Sequence, residues 1–424
     1  MVGDVRIAIV TESFLPSLNG VTTSVCRVLD RLRETGHDAV VIAPSPAPES
    51  YAGFPVRAVT SIPVRQFQVG LPTGEIEDVL REFRPDVVHV ASPFVLGARG
   101  LTAADRLGLP CVAIYQTDMP SYLEQHGNVA GAATGRAAAK AAWRWIRRIH
   151  SLADLTLAPS SAALSDIRAH GVPRTGLWGR GVDTGLFRPE WREDAGSRAL
   201  RRALAPDGQV LVGYVGRLAP EKEIHRLVDV ATIPGTRIVL VGDGPSRTAL
   251  AEQLSEAVAG SPGRPNLPPV FLGRRSGDDL ARAYAAFDVF AHTGTRETFG
   301  QTLQEAAACR LPVVAPAMGG PLDLVDHGTT GFLFDPADPR SIVEHVRTLV
   351  EDPALREAMG SAGLVKVEPR SWAALVDQPV GHYEDAIARR LTTAARPSSG
   401  ASGTHLCELP AHERPILALR NAPS

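Results

Sequence analysis

The sequence predicts an α/β protein with two Rossmann-like domains, and three observations lead to that prediction. Its 424 residues exceed the roughly 250–300 residues that a single hydrophobic core usually supports. Hydrophobic residues make up 44% of the chain, which is enough for two cores. Short runs of β-branched residues alternate with helical stretches, and this order starts a second time near residue 209. Such alternation is typical of doubly wound parallel sheets.

The predicted strands of the first half are continuous apolar runs, of the kind that is buried on both faces of a sheet. They are Val5–Val10, Ala39–Ala43, Asp86–Val90 and Cys111–Tyr115. A helix is predicted over residues 21–35, because Gly36 then stands where a helix C-cap favours glycine. His89 lies at the end of one strand, and we interpret it as a packed side chain rather than a catalyst.

The second half repeats the pattern, with strands predicted at Val210–Val215, Arg237–Val241, Val270–Leu272, Asp288–Ala291 and Val313–Ala315. The segment 187–206 is rich in charged and turn residues and is the predicted linker. We therefore expect one domain over residues 1–188 and another over residues 189–372. After about residue 390 the chain turns to Thr, Ala, Pro, Ser and Gly without periodicity, which predicts a disordered tail over residues 391–424.

The composition argues against several classes of protein. A net charge of −2 with 5% aromatic residues is unlike a nucleic-acid-binding protein, so we expect no nucleic-acid partner. No apolar run approaches the roughly 18 residues of a membrane-spanning helix. The opening residues, MVGDVRIAIVTESF, predict a strand rather than a signal peptide, and the scattered cysteines include no CxxC pair. These features predict a protein of the reducing cytoplasm.

The motifs of several common enzyme classes are missing. The chain lacks the GxxxxGK[ST] of P-loop NTPases, the GxSxG of many hydrolases and the HExxH of zinc proteases. Gly242-Asp243-Gly244 lacks the third glycine of a dinucleotide-binding loop. No Asp-x-Asp pair is available for Mg²⁺ or Mn²⁺, so we predict neither a metal site nor a cofactor.

The segment GTRETFGQTLQEAAAC, residues 294–309, carries the strongest signal for a binding site. Glu297 lies in the loop ahead of a predicted helix, and Glu305 lies about two turns inside that helix. The unpaired N–H groups at Gly300–Thr302 suit an anion such as phosphate. Carboxylates on both sides of such a site could accept hydrogen bonds from the sugar and the ribose of a nucleotide sugar. The alternative is ordinary capping and solvation of a surface helix.

Arg217 and Lys222 follow the predicted strand Val210–Val215 in a loop that leads into a helix. Open α/β sheets bind ligands at the carboxyl ends of their strands. Arginine offers a fork for two phosphate oxygens, and lysine offers a compact charge. The alternative is a pair of solvated basic residues beside Glu221 and Glu223.

Asp118 follows the predicted strand Cys111–Tyr115 and is a candidate to accept a hydrogen bond from a hydroxyl of a ligand. It could equally cap a following helix, because Pro120 stands where a first turn would begin. Both interpretations remain open from the sequence.

Residues 136–152 predict a basic amphipathic helix. Arg136, Lys140, Arg144 and Arg147 share one face at helical spacing. The opposite face is predicted to hold Ala138, Ala141, Trp145, Ile149 and Leu152. Such a helix could lie on an anionic membrane, or it could be an ordinary surface helix whose Trp145 face packs on the core of the first domain.

Together, these motifs resemble those of the GT4 family of retaining glycosyltransferases, which have the GT-B fold. The resemblance rests on Glu297 and Glu305 with Phe299-Gly300 between them, and on four companion segments in the same order and spacing. The companion segments are Asn19-Gly20, Arg180-Gly181-Val182-Asp183, Gly213-Tyr214-Val215-Gly216-Arg217-Leu218-Ala219-Pro220-Glu221-Lys222 and Leu240-Val241-Gly242-Asp243-Gly244-Pro245. Within the family, the amino-acid sequence around residues 291–316 and 115–122 is most similar to that of actinobacterial GDP-mannose-dependent α-mannosyltransferases that build glycolipids.

The resemblance implies two domains that face a cleft, with a helix around residues 373–390 that crosses back to the first domain. It implies a nucleotide-sugar donor on the second domain and a lipid-linked or small glycoside acceptor on the first. The residues implied to be catalytic are Arg217, Lys222, Glu297 and Asp118. Those implied to bind the nucleotide sugar are Gly20, Gly216, Arg274, Thr298, Phe299, Gly300, Gln301, Thr302 and Glu305. Many family members have His where this chain has Gln116.

The same resemblance implies a front-face mechanism with retention of configuration, in which fixed positive groups stabilise the departing diphosphate. Other GT-B activities remain as alternatives: a nucleotide-sugar epimerase, a transferase that uses a UDP-sugar, or a binding protein without turnover. A phosphorylase is disfavoured because it needs a pyridoxal lysine, and lysine occurs only at positions 140, 222 and 366. We expect a cytoplasmic enzyme that can contact the inner face of the plasma membrane peripherally.

Overall fold

The computed structural model describes residues 5–17, 19–64, 67–70, 74–92, 95–116, 132–260 and 266–394. Within these ranges it confirms two Rossmann-like bodies, each built on a parallel sheet with helices on both faces. Asp118 and residues 395–424 of the predicted tail lie outside the described residues.

The first sheet has eight strands in the order β10-β9-β8-β7-β1-β2-β4-β3, all parallel except the β3–β4 hairpin. These strands are β1 Arg6–Val10, β2 Asp38–Pro44, β3 Ser50–Tyr51, β4 Phe54–Val59, β7 Val87–Val90, β8 Cys111–Ile114, β9 Leu155–Ala158 and β10 Thr175–Leu177. A separate hairpin joins β5 Ser61–Val64 to β6 Phe67–Gly70. Ile9 of β1 pairs with Val41 of β2 on one side and with His89 of β7 on the other. The order in which successive strands are added to the sheet therefore reverses between β1 and β7.

The second sheet has six parallel strands in the order β13-β12-β11-β14-β15-β16. These strands are β11 Val210–Val215, β12 Thr236–Val241, β13 Val270–Gly273, β14 Val289–Ala291, β15 Val313–Pro316 and β16 Gly331–Phe334. Strand order reverses here between β11 and β14, which pair at Val212 with Val289 and at Gly213 with Phe290. Ligands of open α/β sheets bind in the crevice beyond such a reversal.

The α-helices of the first half are Gly20–Glu34, Glu75–Phe83, Val95–Arg106, Ala132–His150 and Ser161–Ala169. Those of the second half are Ala195–Leu204, Leu227–Val230, Arg247–Ala259, Gly277–Ala286, Gln301–Ala308, Pro321–Leu324, Pro339–Glu351, Pro353–Val367 and Trp372–Ala394. Apolar side chains from these helices cover both faces of each sheet, which explains why the strands have no polar alternation. No helix in the described part of the chain is long and apolar enough to cross a membrane.

The C-terminal helix, Trp372–Ala394, returns to the first domain as the fold prediction requires. Its Trp372, Val376 and Tyr383 belong to the same buried cluster as the first-domain strands. The Tyr383 hydroxyl lies 2.6 Å from Nδ1 of the buried His89, so that histidine packs within the fold and does not line the cleft. The chain thus crosses between the domains twice, and the two crossings pair through Val182 and Ser371.

The loop after β11 differs from the prediction of a helix. The structure has 3₁₀ turns at Pro220–Lys222 and Ile224–Arg226, followed only by the short helix Leu227–Val230. Glu223 between the turns adopts a left-handed conformation with φ of 49°, which interrupts the helical hydrogen-bond ladder.

The basic helix is present as Ala132–His150, and its predicted apolar face is confirmed at Ile149 but wrong at Ala141 and Trp145. Its buried stripe consists of Ala142, Ile146 and Ile149, whereas Trp145 is 46% exposed and Ala141 is exposed. The inward-facing indole is that of Trp143, which stacks on His170 with ring centroids 3.7 Å apart. Sequence periodicity did not distinguish Trp143 from Trp145. The partner that covers Trp143 is His170, which caps the C-terminal end of the helix Ser161–Ala169.

Candidate functional site

Lys222 and Glu297 form an ion pair at the strand-order reversal of the second sheet. The Lys222 Nζ atom lies 2.9 Å from Oε2 of Glu297, and both side chains are largely buried. Lys222 comes from the loop after β11, and Glu297 comes from the loop after β14. Since β11 and β14 are neighbours, their carboxyl-end loops meet although the two residues are far apart in sequence.

Close backbone contacts hold these loops in place. The Thr293 hydroxyl donates to the Lys222 carbonyl at 2.7 Å. The Gly320 N–H donates to the Glu297 carbonyl at 2.7 Å. A Cβ at Gly320 would stand 2.2 Å from the carbonyl oxygen of Phe299, so only glycine allows this approach. The Glu297 side chain is therefore presented by a rigid frame.

The electrostatic surroundings keep Glu297 ionised. Burial by itself raises the pKa of the Glu297 carboxyl, but Lys222 first, and then His292 and Arg180, bring that pKa down to about 2. In return the Glu297 charge raises the pKa of Lys222. The carboxylate is thus fixed as a hydrogen-bond acceptor at neutral pH and has no proton to give.

Arg217 lies in the same loop as Lys222 but is more exposed. Its Nη1 lies 3.6 Å from Oε1 of Glu221, and the side chain is 45% exposed. Gly216 just before it has φ of 154°, which a residue with a side chain rarely adopts. The Arg217 charge slightly opposes the rise in the pKa of Lys222 that Glu297 causes.

The helix Gln301–Ala308 begins directly after Gly300, which has φ of 101°. Thr302 lies in its first turn. The Gln301 side chain turns to the interdomain segment, where its Nε2 donates to the Gly181 carbonyl at 3.0 Å. Phe299 is buried and faces the guanidinium of Arg180 at 5.9 Å.

Glu305 occupies a separate position, about one turn inside this helix. Its Oε2 accepts a hydrogen bond from the Tyr284 hydroxyl at 2.8 Å. Burial raises the pKa of the Glu305 carboxyl to about 7, against the opposing effect of Tyr284. The two glutamates therefore have opposite electrostatic surroundings. Glu297 is charged at neutral pH, whereas the pKa of Glu305 lies close to neutral pH.

The first domain contributes Gly20 and Gln116 to the other side of the site. Gly20 starts its helix, and the Asn19 side chain caps it by accepting from the N–H groups of Val21 and Thr22. Gln116 follows β8, and its side chain donates to the Ala91 carbonyl and accepts from Arg180. Arg274 is exposed just beyond β13.

Sequence reasoning missed His292 and Arg180 as members of this site. His292 follows β14, is 3% exposed, and has its Nε2 3.8 Å from Oε2 of Glu297. Burial lowers the pKa of His292 to about 4, so it is neutral. The sequence signal that could have found His292 was its position directly after the predicted strand Asp288–Ala291, where open α/β sheets bind their ligands. Arg180 was noticed only as part of the interdomain segment.

A cavity of about 480 Å³ lies between the two domains beside Glu297. First-domain residues on its wall include Tyr115, Ser160 and Asp166, and Thr298 lies on the opposite wall. Its volume falls in the usual range of small-molecule sites. Among the described residues no group of three His, Cys, Asp or Glu side chains could hold a metal ion.

Two family descriptions match the chain. Residues 18–186 match Glycosyltransferase Family 4, and residues 197–365 match Glycosyl transferases group 1. Together the two matches cover every strand of both sheets except β1.

Curated relatives resemble the chain over most of its length. A Mycobacterium tuberculosis protein named GDP-mannose-dependent alpha-mannosyltransferase is 44% identical over 401 residues, which cover 92% of this chain and 99% of the relative. The sulfoquinovosyl transferase SQD2 of Arabidopsis thaliana is 33% identical over 383 residues, which cover 87% of this chain and 71% of the relative.

Solved structures show the same fold. Anabaena HepE in complex with UDP has a TM-score of 0.71 at 21% identity, covering 90% of this chain and 100% of that one. Sucrose-phosphate synthase from Thermosynechococcus elongatus has a TM-score of 0.70 at 20% identity, covering 91% of this chain and 100% of that one. The predicted GT-B fold is confirmed.

Proposed function

The chain belongs to glycosyltransferase family 4, and we propose that it transfers mannose from GDP-mannose to a lipid-linked or small glycoside acceptor with retention of configuration. The observation that carries the proposed chemistry is the Lys222–Glu297 ion pair beside the interdomain cavity. The choice of donor is supported by the 44% identity to a relative named for GDP-mannose and mannose transfer.

The proposed reaction breaks the bond between the anomeric carbon and the diphosphate. Negative charge grows on the diphosphate as this bond loosens, and preorganised cations stabilise that charge most in the transition state. Lys222 and Arg217 supply the cations, together with the N–H groups at the start of the helix Gln301–Ala308. The acceptor oxygen forms its bond to the anomeric carbon on the face that the diphosphate leaves, and the diphosphate takes the hydroxyl proton, so no protein nucleophile takes part.

Glu297 is proposed to bind hydroxyls of the transferring sugar. Its low pKa keeps both oxygens available as acceptors, and Lys222 offsets its charge so that it does not repel the diphosphate. Glu305 is proposed to bind the ribose, and the segment around Arg274 to contact the base. Asp118 keeps its proposed role as an acceptor-side carboxylate.

Binding of nucleotides tests the donor directly. In thermal-shift titrations, we expect GDP and GDP-mannose to stabilise the protein more than the UDP and ADP pairs do, because a ligand that binds the folded state raises its stability with affinity. Incubation with labelled GDP-mannose and no acceptor separates an epimerase, which would convert the free donor, from a transferase. A protein stabilised only by UDP-sugars would overturn the choice of donor but not the family.

Donor affinity is expected to rise with pH through about 7 because of Glu305. Below its raised pKa of about 7 the carboxyl is protonated and is a weaker acceptor for ribose hydroxyls, and above that pKa it is a carboxylate. Calorimetric titration with GDP-mannose, whose diphosphate does not titrate in this range, measures the effect. Glu305→Gln should bind more weakly and with a flat pH dependence. A flat wild-type profile would contradict the prediction.

The exposed face of the helix Ala132–His150 is proposed to contact an anionic membrane. Arg136, Lys140, Arg144 and Arg147 are all exposed, and none makes an ion pair with another described residue. Trp145 is 46% exposed but lies on a different face of this helix, because its spacing from the basic residues turns it away from them. The proposed membrane contact therefore rests on the four charges.

Reversing these four charges to glutamate should abolish sedimentation with vesicles that contain anionic lipid. Each basic residue near such a surface contributes about 1 kcal/mol, so four reversals should have a visible effect. Reversal of Arg198, Arg202, Arg340 and Arg347, exposed arginines of the second domain, is the matched control. Equal vesicle binding by a folded reversed variant and the wild type would leave an ordinary surface helix.

A further inference from the structure

Arg180 is a buried cation in the segment that joins the domains. It is only 9% exposed, and it makes no ion pair with any described carboxylate. One guanidinium nitrogen donates to the amide oxygen of Gln116, and the group lies 5.9 Å from the Phe299 ring. Burial lowers the pKa of Arg180 to about 10, so it still carries its charge at neutral pH. A buried charge with only a neutral hydrogen-bond partner is costly unless an anion joins it.

The second domain fixes the backbone of Arg180. Gln304 donates to the Arg180 carbonyl at 2.9 Å, and Arg370 in turn donates to the Gln304 amide oxygen at 2.8 Å. Gly181 has no room for a side chain, because a Cβ there would lie 2.4 Å from the Cα of Trp372. The residue is therefore held in position before any substrate arrives.

The tip of Arg180 nevertheless reaches the first domain. A Cβ built on Gly20 would lie 2.9 Å from Nη1 of Arg180, so this nitrogen stands over the start of the helix Gly20–Glu34. The start of a helix carries partial positive charge, as the guanidinium does. On the other side, the attraction between Arg180 and Glu297 shows in the pKa of both groups. The Arg180 guanidinium thus lies where Gln116 and Gly20 of the first domain meet Phe299 of the second.

We propose that Arg180 binds the diphosphate of the donor from the side opposite to Arg217 and Lys222, and that Gln116 positions it. This inference rests on the proposed use of a nucleotide-sugar donor. Gln116 is suited to this task because its amide is anchored at one end by the Ala91 carbonyl and receives the guanidinium at the other. A neutral amide orients the cation without neutralising it.

Two substitutions separate this role from a structural one. Arg180→Met removes the charge and keeps an apolar stem of similar length. Gln116→Glu keeps the shape of the side chain, gives up the hydrogen bond to the Ala91 carbonyl, and places a carboxylate beside Arg180 that neutralises its charge and strengthens their contact. If Arg180 only tied the domains together, Gln116→Glu would leave ligand binding intact. If Arg180 binds the diphosphate, Gln116→Glu must weaken that binding.

The test is the affinity of each variant for guanosine, GMP, GDP and inorganic pyrophosphate by calorimetry. We expect Arg180→Met and Gln116→Glu to lose about 10- to 100-fold in affinity for GDP and pyrophosphate, the usual effect of one hydrogen bond to a charged group, and little for guanosine. Arg237→Met is the matched control, because Arg237 binds the Pro268 and Leu204 carbonyls outside the cleft.

Equal GDP affinity in wild type and both variants would overturn the inference, as would equal losses for guanosine and GDP. If the wild type prefers UDP or ADP, the same series with that nucleotide tests Arg180, since the inference concerns the diphosphate and not the base. A wild type that binds no nucleoside diphosphate would instead refute the proposed function. Thermal unfolding of each variant confirms that it is folded, and Gln116→Glu serves alone if Arg180→Met does not fold.

Discussion

Lys222→Ala is expected to lower kcat by about 10²- to 10³-fold while changing donor affinity much less. Removal of one preorganised donor aimed at developing charge typically has an effect of this size. The diphosphate is more negative in the transition state than in the bound donor, so the loss should fall on kcat rather than on KM. Steady-state kinetics together with calorimetric donor affinity measure the two quantities separately.

The same variant should acquire a new pH dependence. In the wild type the pKa of Glu297 is about 2, so its ionisation does not limit activity near neutrality. Without Lys222 the burial of Glu297 is no longer offset to the same degree and its pKa rises, so residual activity should fall as the pH is lowered. Lys222→Arg should restore charge but not full rate, because a planar fork does not occupy the place of an ammonium.

A double substitution decides whether Arg217 and Lys222 act on one target. The Arg217→Ala, Lys222→Ala double variant should lose less than the product of the two single losses. Lys366→Ala is the matched control, since Lys366 also pairs with a carboxylate, Asp326 at 2.7 Å, but lies outside the site. A near-normal kcat with only a raised KM in Lys222→Ala would remove the leaving-group role.

Glu297→Gln and Glu305→Gln are expected to affect different steps. Glu297 is proposed to contact the transferring sugar, so its replacement should lower kcat by about 10²-fold or more. Glu305 is proposed to contact the ribose, so its replacement should weaken binding of GDP by about 10- to 100-fold and leave kcat at saturation nearly unchanged.

Affinity for free GDP separates the two cases, because GDP contains the ribose but not the transferred sugar. Glu297→Gln should bind GDP almost as the wild type does. Glu357→Gln provides the control, because Glu357 forms an ion pair with Arg310 at 2.5 Å outside the cleft. Equal losses of GDP affinity in both site variants would contradict the division of roles.

The sequence alone predicted several strands of both sheets that are continuous apolar runs, such as Val210–Val215, within a residue or two of their bounds. Other strands, such as β9 Leu155–Ala158 and β16 Gly331–Phe334, were missed. Four apolar residues fit the start of a helix as well as a strand, and only neighbouring strands decide between them. Trp145 was placed on the buried face instead of Trp143 for a similar reason. Periodicity indicates that a helix has an apolar face, but the neighbouring elements decide which residues at its edge are covered.

Lys222 and Glu297 were named as candidates from the sequence, because loops after buried strands share one edge of a sheet. The sequence did not pair Lys222 with Glu297, nor bring Arg180 between Gln116, Gly20 and Phe299. Those contacts depend on strand order, which puts β14 next to β11, and on the second crossing of the chain, which fixes the interdomain segment. Local periodicity determined which residues are buried and where strands end. Tertiary structure decided which charges face each other, because Coulomb interactions and desolvation depend on distance and burial rather than on separation along the chain.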